Sequence, residues 1–135
     1  MKVIALSILV FSLIGCGVKT RGSSQSEVAP GARRISATQA YRLMSEMADF
    51  ILLDVRSEQE FREQRIEGAI LIPAHEIRDR AENLLPDRNQ VILLYCRTGR
   101  RSAAAASELV RLGYVNVYDF GGIVDWPHGT VRDYN

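Results

Sequence analysis

Cysteine is nearly absent from this chain, with Cys16 and Cys96 the only two in 135 residues. No Cys-x-x-Cys pair occurs, which excludes a thioredoxin-like dithiol. One deep cysteine with two scattered histidines, His75 and His128, does not make a zinc site. Neither histidine sits in a recognisable Cys/His motif, and both are expected to be ordinary surface or loop residues. A glycine-rich phosphate loop is missing, as are internal repeats and low-complexity tracts. A basic surplus is lacking too: 17 Lys and Arg face 16 Asp and Glu, for a net charge of +1. That balance argues against nucleic acid as a general partner, because phosphate binding needs a clear excess of positive charge on one face. Long apolar runs are absent apart from residues 3–14, broken only by Ser7 and Ser12. As a helix this run would span about 18 Å, against a hydrocarbon core of about 30 Å. It is too short for a stable membrane span and suits a signal peptide. What remains has the composition of an ordinary globular protein, at a length that suits one domain.

The apolar run follows Lys2 and ends in Leu13, Ile14, Gly15 and Cys16. This resembles the lipobox of bacterial lipoproteins, in which small residues precede a cysteine that becomes the lipid-modified N-terminus. The resemblance implies a signal peptide over residues 1–15 and a diacylglyceryl thioether on Cys16. Two buried acyl chains hold a protein to a membrane where one is marginal. Lys2 carries the only charge before Cys16, so cleavage there takes the net charge from +1 to 0. Residues 16–33 are rich in Gly, Ser and polar side chains without apolar periodicity, and read as a flexible linker. A folded domain is expected over residues 34–135. The chain is thus expected to be exported and tethered outside the cytoplasm. Cys96 would then be its only free thiol.

Within the domain, strand and helix patterns alternate. Ser36 and Gln39 form a capping box, opening a helix with Ala40, Leu43, Met44 and Met47 on one face. Residues 50–55 form an apolar run, as expected for a strand buried on both faces. Ser57 and Glu60 make a second capping box, before a short helix anchored by Phe61. Residues 69–72 are a strand stopped by Pro73, followed by a polar helix-loop stretch over 74–85. Residues 90–95 are the strongest strand. A helix over 102–112 follows, with Ala103, Ala106, Leu109 and Val110 facing inward and Gly113 ending it. The last strand covers 115–120. This alternation predicts an α/β domain with a mainly parallel sheet. Reactive groups in such sheets lie beyond the carboxyl ends of the strands. Two polar stretches fall there: Asp54 to Arg56, and Cys96 to Arg101.

The second stretch carries the chemistry. Cys96, Arg97, Thr98, Gly99, Arg100, Arg101 and Ser102 run from a strand end into a helix N-terminus. That geometry aims backbone N–H groups at one point, with the positive end of the helix behind them. A thiolate on Cys96 is the natural anion to place there. Helix N-termini and nearby arginines lower a cysteine's pKa and so raise the fraction of nucleophile. Three arginines crowd the end of a helix where stability alone would favour Asp or Glu, and a local rule broken at one place points to function. Gly99 is expected to supply a left-handed backbone or a close approach to the anion.

These residues resemble a rhodanese domain, over about Ile35 to Trp126. The pieces are Leu53-Asp54-Val55-Arg56, Glu60-Phe61, Ile66-Glu67-Gly68-Ala69 with Ile72-Pro73, and Tyr95 through Ser102. Gly113-Tyr114, Asn116-Val117, Gly121-Gly122-Ile123 and Trp126 complete the set. Each is weak alone, and their order and spacing together are specific. The resemblance implies a three-layer α/β fold, with about five strands in a mainly parallel sheet and helices on both faces. It implies a sulfurtransferase in which Cys96 takes a sulfane sulfur from a donor such as thiosulfate, becomes a persulfide, and passes the sulfur to a thiol or cyanide. Arg97, Thr98, Gly99, Arg100, Arg101 and Ser102 would form the substrate cradle. Arg97 and Arg101 would attract the donor and Arg100 would point outward. Asp54 and Arg56 would support the loops. No cofactor is implied, and a monomer is the default expectation. Related phosphatases place five residues between Cys and Arg. Here four separate Cys96 from Arg101, a smaller cradle that fits sulfur better than a phosphoryl group. Where many members carry Gly-His-Ile, this chain has Gln64, Arg65 and Ile66. Two further readings stand beside the enzyme: a membrane-tethered binding or sensing module without turnover, and a phosphatase or arsenate-type activity.

Overall fold

The computed structural model describes residues 31–133. The expected signal segment, Cys16 and most of the linker lie outside the described residues. The elements, in chain order, are β1 (Gly31–Arg34), α1 (Ala37–Glu46), β2 (Ile51–Asp54), α2 (Glu58–Glu63), β3 (Ile70–Leu71), α3 (Ile77–Leu84), β4 (Ile92–Cys96), α4 (Arg100–Arg111) and β5 (Asn116–Gly122). Single 3-10 turns cover Ala74–Glu76 and Ile123–Asp125. The five strands form one sheet in the order β1-β5-β4-β2-β3, and every pairing is parallel.

The centre of the sheet explains its stability. All five residues of β4 are buried, as a parallel strand covered on both faces requires. Its side chains alternate between two cores with the period of a strand. Ile92, Leu94 and Cys96 enter a cluster with Ile77, Ala81, Ala105 and Leu109 from α3 and α4. Leu93 and Tyr95 enter a second cluster with Ala40 of α1, Ile66 and Phe120. One helical layer thus covers each face, and the fold is the expected three-layer α/β arrangement.

Both capping boxes form. Ser36 Oγ accepts from the Gln39 N–H at 3.1 Å while Gln39 Oε1 accepts from the Ser36 N–H at 2.8 Å. Ser57 and Glu60 make the same exchange at 3.2 and 3.0 Å. These bonds satisfy donors that a helix start otherwise leaves open.

Three expectations change. The linker was expected to run through residue 33, but β1 occupies Gly31–Arg34 and pairs with β5 from Asn116 to Asp119. Its sequence lacks an apolar pattern because it is an edge strand, alternating half-buried and exposed positions. Helix α4 starts at Arg100, two residues before the expected 102, and buries Ser102, Ala105, Ala106 and Leu109. This i, i+3, i+4, i+7 stripe replaces the expected Ala103, which is exposed, with Ala105. Phe61 is only half-buried, and the Arg65 guanidinium covers its ring at 4.7 Å.

Candidate active site

The carboxyl ends of β2, β4 and β5 bring the site together. Cys96 is the last residue of β4 and is 1% exposed. Its register partner across the sheet is Gly122, after an irregularity between Leu94 and Cys96 that releases the chain into the loop. The loop then turns into α4 at Gly99, which has φ of +100°. A side chain there would be strained in that conformation. It would also meet Arg34 Nη2 at 2.7 Å and Gly121 Cα at 3.3 Å. The left-handed backbone expected of Gly99 is present, and the close neighbours that exclude a side chain are Arg34 and Gly121.

The turn points the Gly99 N–H at Cys96 Sγ, 3.0 Å away. Burial works against the thiolate. Hydrogen bonds from the Ser102 backbone and hydroxyl and from the Gly99 and Thr98 backbones outweigh it, holding the Cys96 pKa below its ordinary value. The Ser102 hydroxyl also lies 3.1 Å from the Gly99 carbonyl oxygen, to which it donates. Its single proton makes donation to that carbonyl and donation to sulfur alternatives.

The arginines divide into distinct roles. Arg101 is committed to Glu60 through a two-pronged ion pair at 2.8 and 2.7 Å. That hydrogen-bonded pairing is the main reason the Glu60 carboxyl titrates at about 2. Arg101 thus stands beside the loop with its charge already matched. Arg100 is exposed, as expected, and Arg97 is exposed at the rim. Thr98 is exposed between them, whereas Ser102 is fully buried.

Asp54 and Arg56 form a buried pair, 0% and 4% exposed. Arg56 Nη2 donates to Asp54 Oδ2 at 2.7 Å and Nε to Oδ1 at 3.0 Å, while the Arg56 backbone N–H reaches Oδ1 at 2.9 Å. Arg56 also donates to the Gln64 carbonyl oxygen and lies over the Tyr95 ring at 5.6 Å. The pair ties the ends of β2 and β4 to the chain after α2. Arg56 also lines an open cleft of about 770 Å³, together with Arg97, Val124 and Arg132.

Sequence reasoning missed three contributors. Arg34 pairs with buried Asp119 at 2.6 Å, and Asp119 Oδ1 accepts from the Gly121 N–H at 2.9 Å. This braces the underside of the loop from an edge strand that has no local signature. Glu60 was expected to act as a cap, and its pairing with Arg101 across 41 positions has no signal in the local pattern. Arg65, at the position of the usual histidine, pairs with Asp133 at 2.7 Å and exchanges backbone hydrogen bonds with Val131 at 2.8 Å. It fastens the Thr130–Asp133 stretch beside the cleft. Of the histidines, the His75 side chain is 81% exposed, while His128 stacks on Tyr41 at 3.6 Å.

A parallel α/β sheet with an activated cysteine between its central strand and a helix N-terminus defines a class of cysteine-loop domains. Within it, the chain belongs to the rhodanese-like domain family, whose sequence profile matches residues 36–128. Among its relatives is the thiosulfate sulfurtransferase PspE of Escherichia coli, 36% identical over 73 residues, which are 54% of this chain and 70% of the relative. A sulfurtransferase of Allochromatium vinosum is 36% identical over 88 residues, 64% of this chain and 80% of that one. A solved structure of a rhodanese with anions from E. coli superposes with a TM-score of 0.58 at 32% identity, covering 62% of this chain and 98% of that one.

Proposed function

We propose that this chain is a sulfurtransferase that carries a sulfane sulfur on Cys96. The Cys96 thiolate attacks the outer sulfur of a donor such as thiosulfate. A bond forms between Cys96 Sγ and that sulfur, and the donor's S–S bond breaks with sulfite leaving. A thiol or cyanide acceptor then attacks the persulfide and returns Cys96 to the thiolate. The observation that carries this reading is the Gly99 N–H held 3.0 Å from Cys96 Sγ at the head of α4. Anions of this charge and size suit converging N–H groups at a helix start. Thr98, Gly99 and Ser102 supply such groups, and Arg97 and Arg100 supply positive charge at the rim. Asp54, Arg56 and the Glu60–Arg101 pair position the loop. The sulfurtransferase names of the relatives and a relative's structure described with anions support the same reading.

We place the activity outside the cytoplasm at a membrane surface, through lipid on Cys16 behind the 1–15 signal segment. The support is the lipobox-like sequence alone. Labelling cells with a radioactive fatty acid should mark the wild-type chain and leave Cys16→Ala unmarked.

The enzymatic claim is tested on protein lacking residues 1–16. Incubated with thiosulfate, it should gain one sulfur atom on the peptide containing Cys96, seen by mass spectrometry, and release it to cyanide. Turnover that survives Cys96→Ala would sink the reading.

A further inference from the structure

The cleft beside the loop is far larger than a five-atom inorganic anion needs. At about 770 Å³ it falls in the range of sites that take whole organic ligands, roughly 300–1,000 Å³. It reaches the cysteine loop through Arg97, which follows Cys96, and through Ile123 and Val124, which follow Gly122, the register partner of Cys96.

The charges of the cleft are unequal. Arg56 is matched by Asp54 and Glu60 by Arg101. That leaves Arg97, Arg132 and Glu63 as the remaining charged side chains of the lining. No carboxylate among the described residues pairs with either arginine, whereas most other arginines of the domain hold one. Glu63 accepts a hydrogen bond from Gln59 at 2.8 Å. The same cleft is lined by apolar side chains: buried Ile123, half-buried Val131, and Val124, which is 61% exposed. The Arg132 wall is built in place. The stretch carrying it is fastened by the Arg65–Asp133 ion pair at 2.7 Å, by the Arg65–Val131 bridge, and by an Asp133 N–H bond to the Arg62 carbonyl at 3.0 Å.

We infer that this cleft binds the sulfur acceptor, and that the acceptor is an aliphatic thiol bearing a carboxylate, held by Arg132 and Arg97 with its carbon chain against Val124 and Val131. Guanidinium groups match a carboxylate with paired, charge-assisted hydrogen bonds, and the apolar strip accepts methylene groups. The inference rests on the sulfurtransferase reading and names its second substrate. In the step it describes, the acceptor thiolate attacks the outer sulfur of the Cys96 persulfide. A new S–S bond forms on the acceptor, the Cys96 S–S bond breaks, and Cys96 leaves as a thiolate, while the persulfide proton travels with the transferred sulfur. The sulfur attacked is the outer one, an S–S bond of about 2.05 Å away from the buried Sγ of Cys96. Arg132 is a specificity-determining residue here, and the donor-side chemistry of the loop does not need it.

The test uses the full chain, loaded with sulfur from thiosulfate and then offered 3-mercaptopropionate or the uncharged 2-mercaptoethanol. Wild type should show a KM for the carboxylate thiol about tenfold below that for the uncharged one, the scale of one charged hydrogen-bonded contact. Arg132→Gln should raise KM for 3-mercaptopropionate about tenfold relative to its effect on 2-mercaptoethanol, with kcat changed little. Arg132→Lys should restore part of the preference. Equal KM values for the two thiols in wild type would overturn the inference, as would an Arg132→Gln that shifts both thiols alike. A chain that loads no sulfur on Cys96 fails the underlying reading and takes the inference with it. A chain that loads sulfur but does not discriminate between the thiols fails the inference alone.

Discussion

At the scale of single residues, Cys96 is governed by a contest between burial and hydrogen bonding, and hydrogen bonding wins. Its thiolate should therefore persist at pH values where a free thiol, with a pKa near 8.5, is mostly protonated. The pH profile of alkylation by iodoacetamide should have its midpoint below that of a free cysteine. Ser102→Ala removes a hydroxyl that favours the thiolate and should move the midpoint upward; an unmoved midpoint would show that Ser102 does not set the ionisation. Gly99 answers a different demand. Gly99→Ala puts an L-residue at φ of +100°, which costs on the order of 1–2 kcal/mol, and drives its Cβ into the Arg34 guanidinium. Sulfur uptake should fall by far more than stability does, because the N–H that meets Sγ belongs to the displaced residue. Comparing persulfide yield with thermal midpoint for this variant separates the two effects.

At the scale of elements, two ion pairs do unlike jobs. Asp54–Arg56 is a buried pair at the end of β2, from which Arg56 reaches the Tyr95 ring of β4 and the Gln64 carbonyl after α2. Removing one partner of a buried pair leaves an unmatched charge and costs about 3–5 kcal/mol. Asp54→Ala should accordingly lower the thermal midpoint by roughly 12 °C or more. The double variant Asp54→Ala with Arg56→Met should be more stable than Asp54→Ala alone, a relation readable from denaturant midpoints. Glu60–Arg101 joins α2 to α4 at the surface. Glu60 ionises at about 2 in the folded chain and at about 4.3 when unfolded. A depressed acid stabilises the fold above its unfolded pKa, and this contribution fades as pH falls through that value toward the folded one. The stability gap between wild type and Glu60→Gln should thus be widest at neutral pH and close between about 4.3 and about 2. A gap that stays constant across that window would show that the pair is not its source.

At the scale of the whole molecule, the sheet was legible where its strands are buried. Residues of β2 and β4 read as strands because their apolar side chains enter the two cores, and the starts of α1 and α2 announced themselves through capping boxes. The Cys96 loop was legible because its chemistry is written in consecutive residues. What stayed hidden was held by partners far apart in the chain. Gly31 to Arg34 have no apolar pattern, and they form a strand because β5 offers an open edge and Asp119 a counter-charge. Arg65 meets Asp133 across 68 positions, so nothing beside it foretold a role in walling the cleft. This non-local part of the fold is testable as a unit. A chain beginning at residue 35 loses β1 and the Arg34 brace, and should unfold at a lower temperature than one beginning at residue 31. It should also take up sulfur more slowly, since the support beneath Gly99 goes with the strand.

The 1% exposure of Cys96 also has a meaning in time. An ionised thiol on an open surface is consumed by peroxide at a rate set by collision, and can pass beyond sulfenic acid to forms no thiol reverses. Beneath its loop, Cys96 offers an oxidant almost no surface to strike. Ionisation readies the sulfur for reaction while enclosure rations its encounters, so the cysteine should outlast a free thiolate of equal pKa. A carrier that idles between donor and acceptor is preserved by that delay.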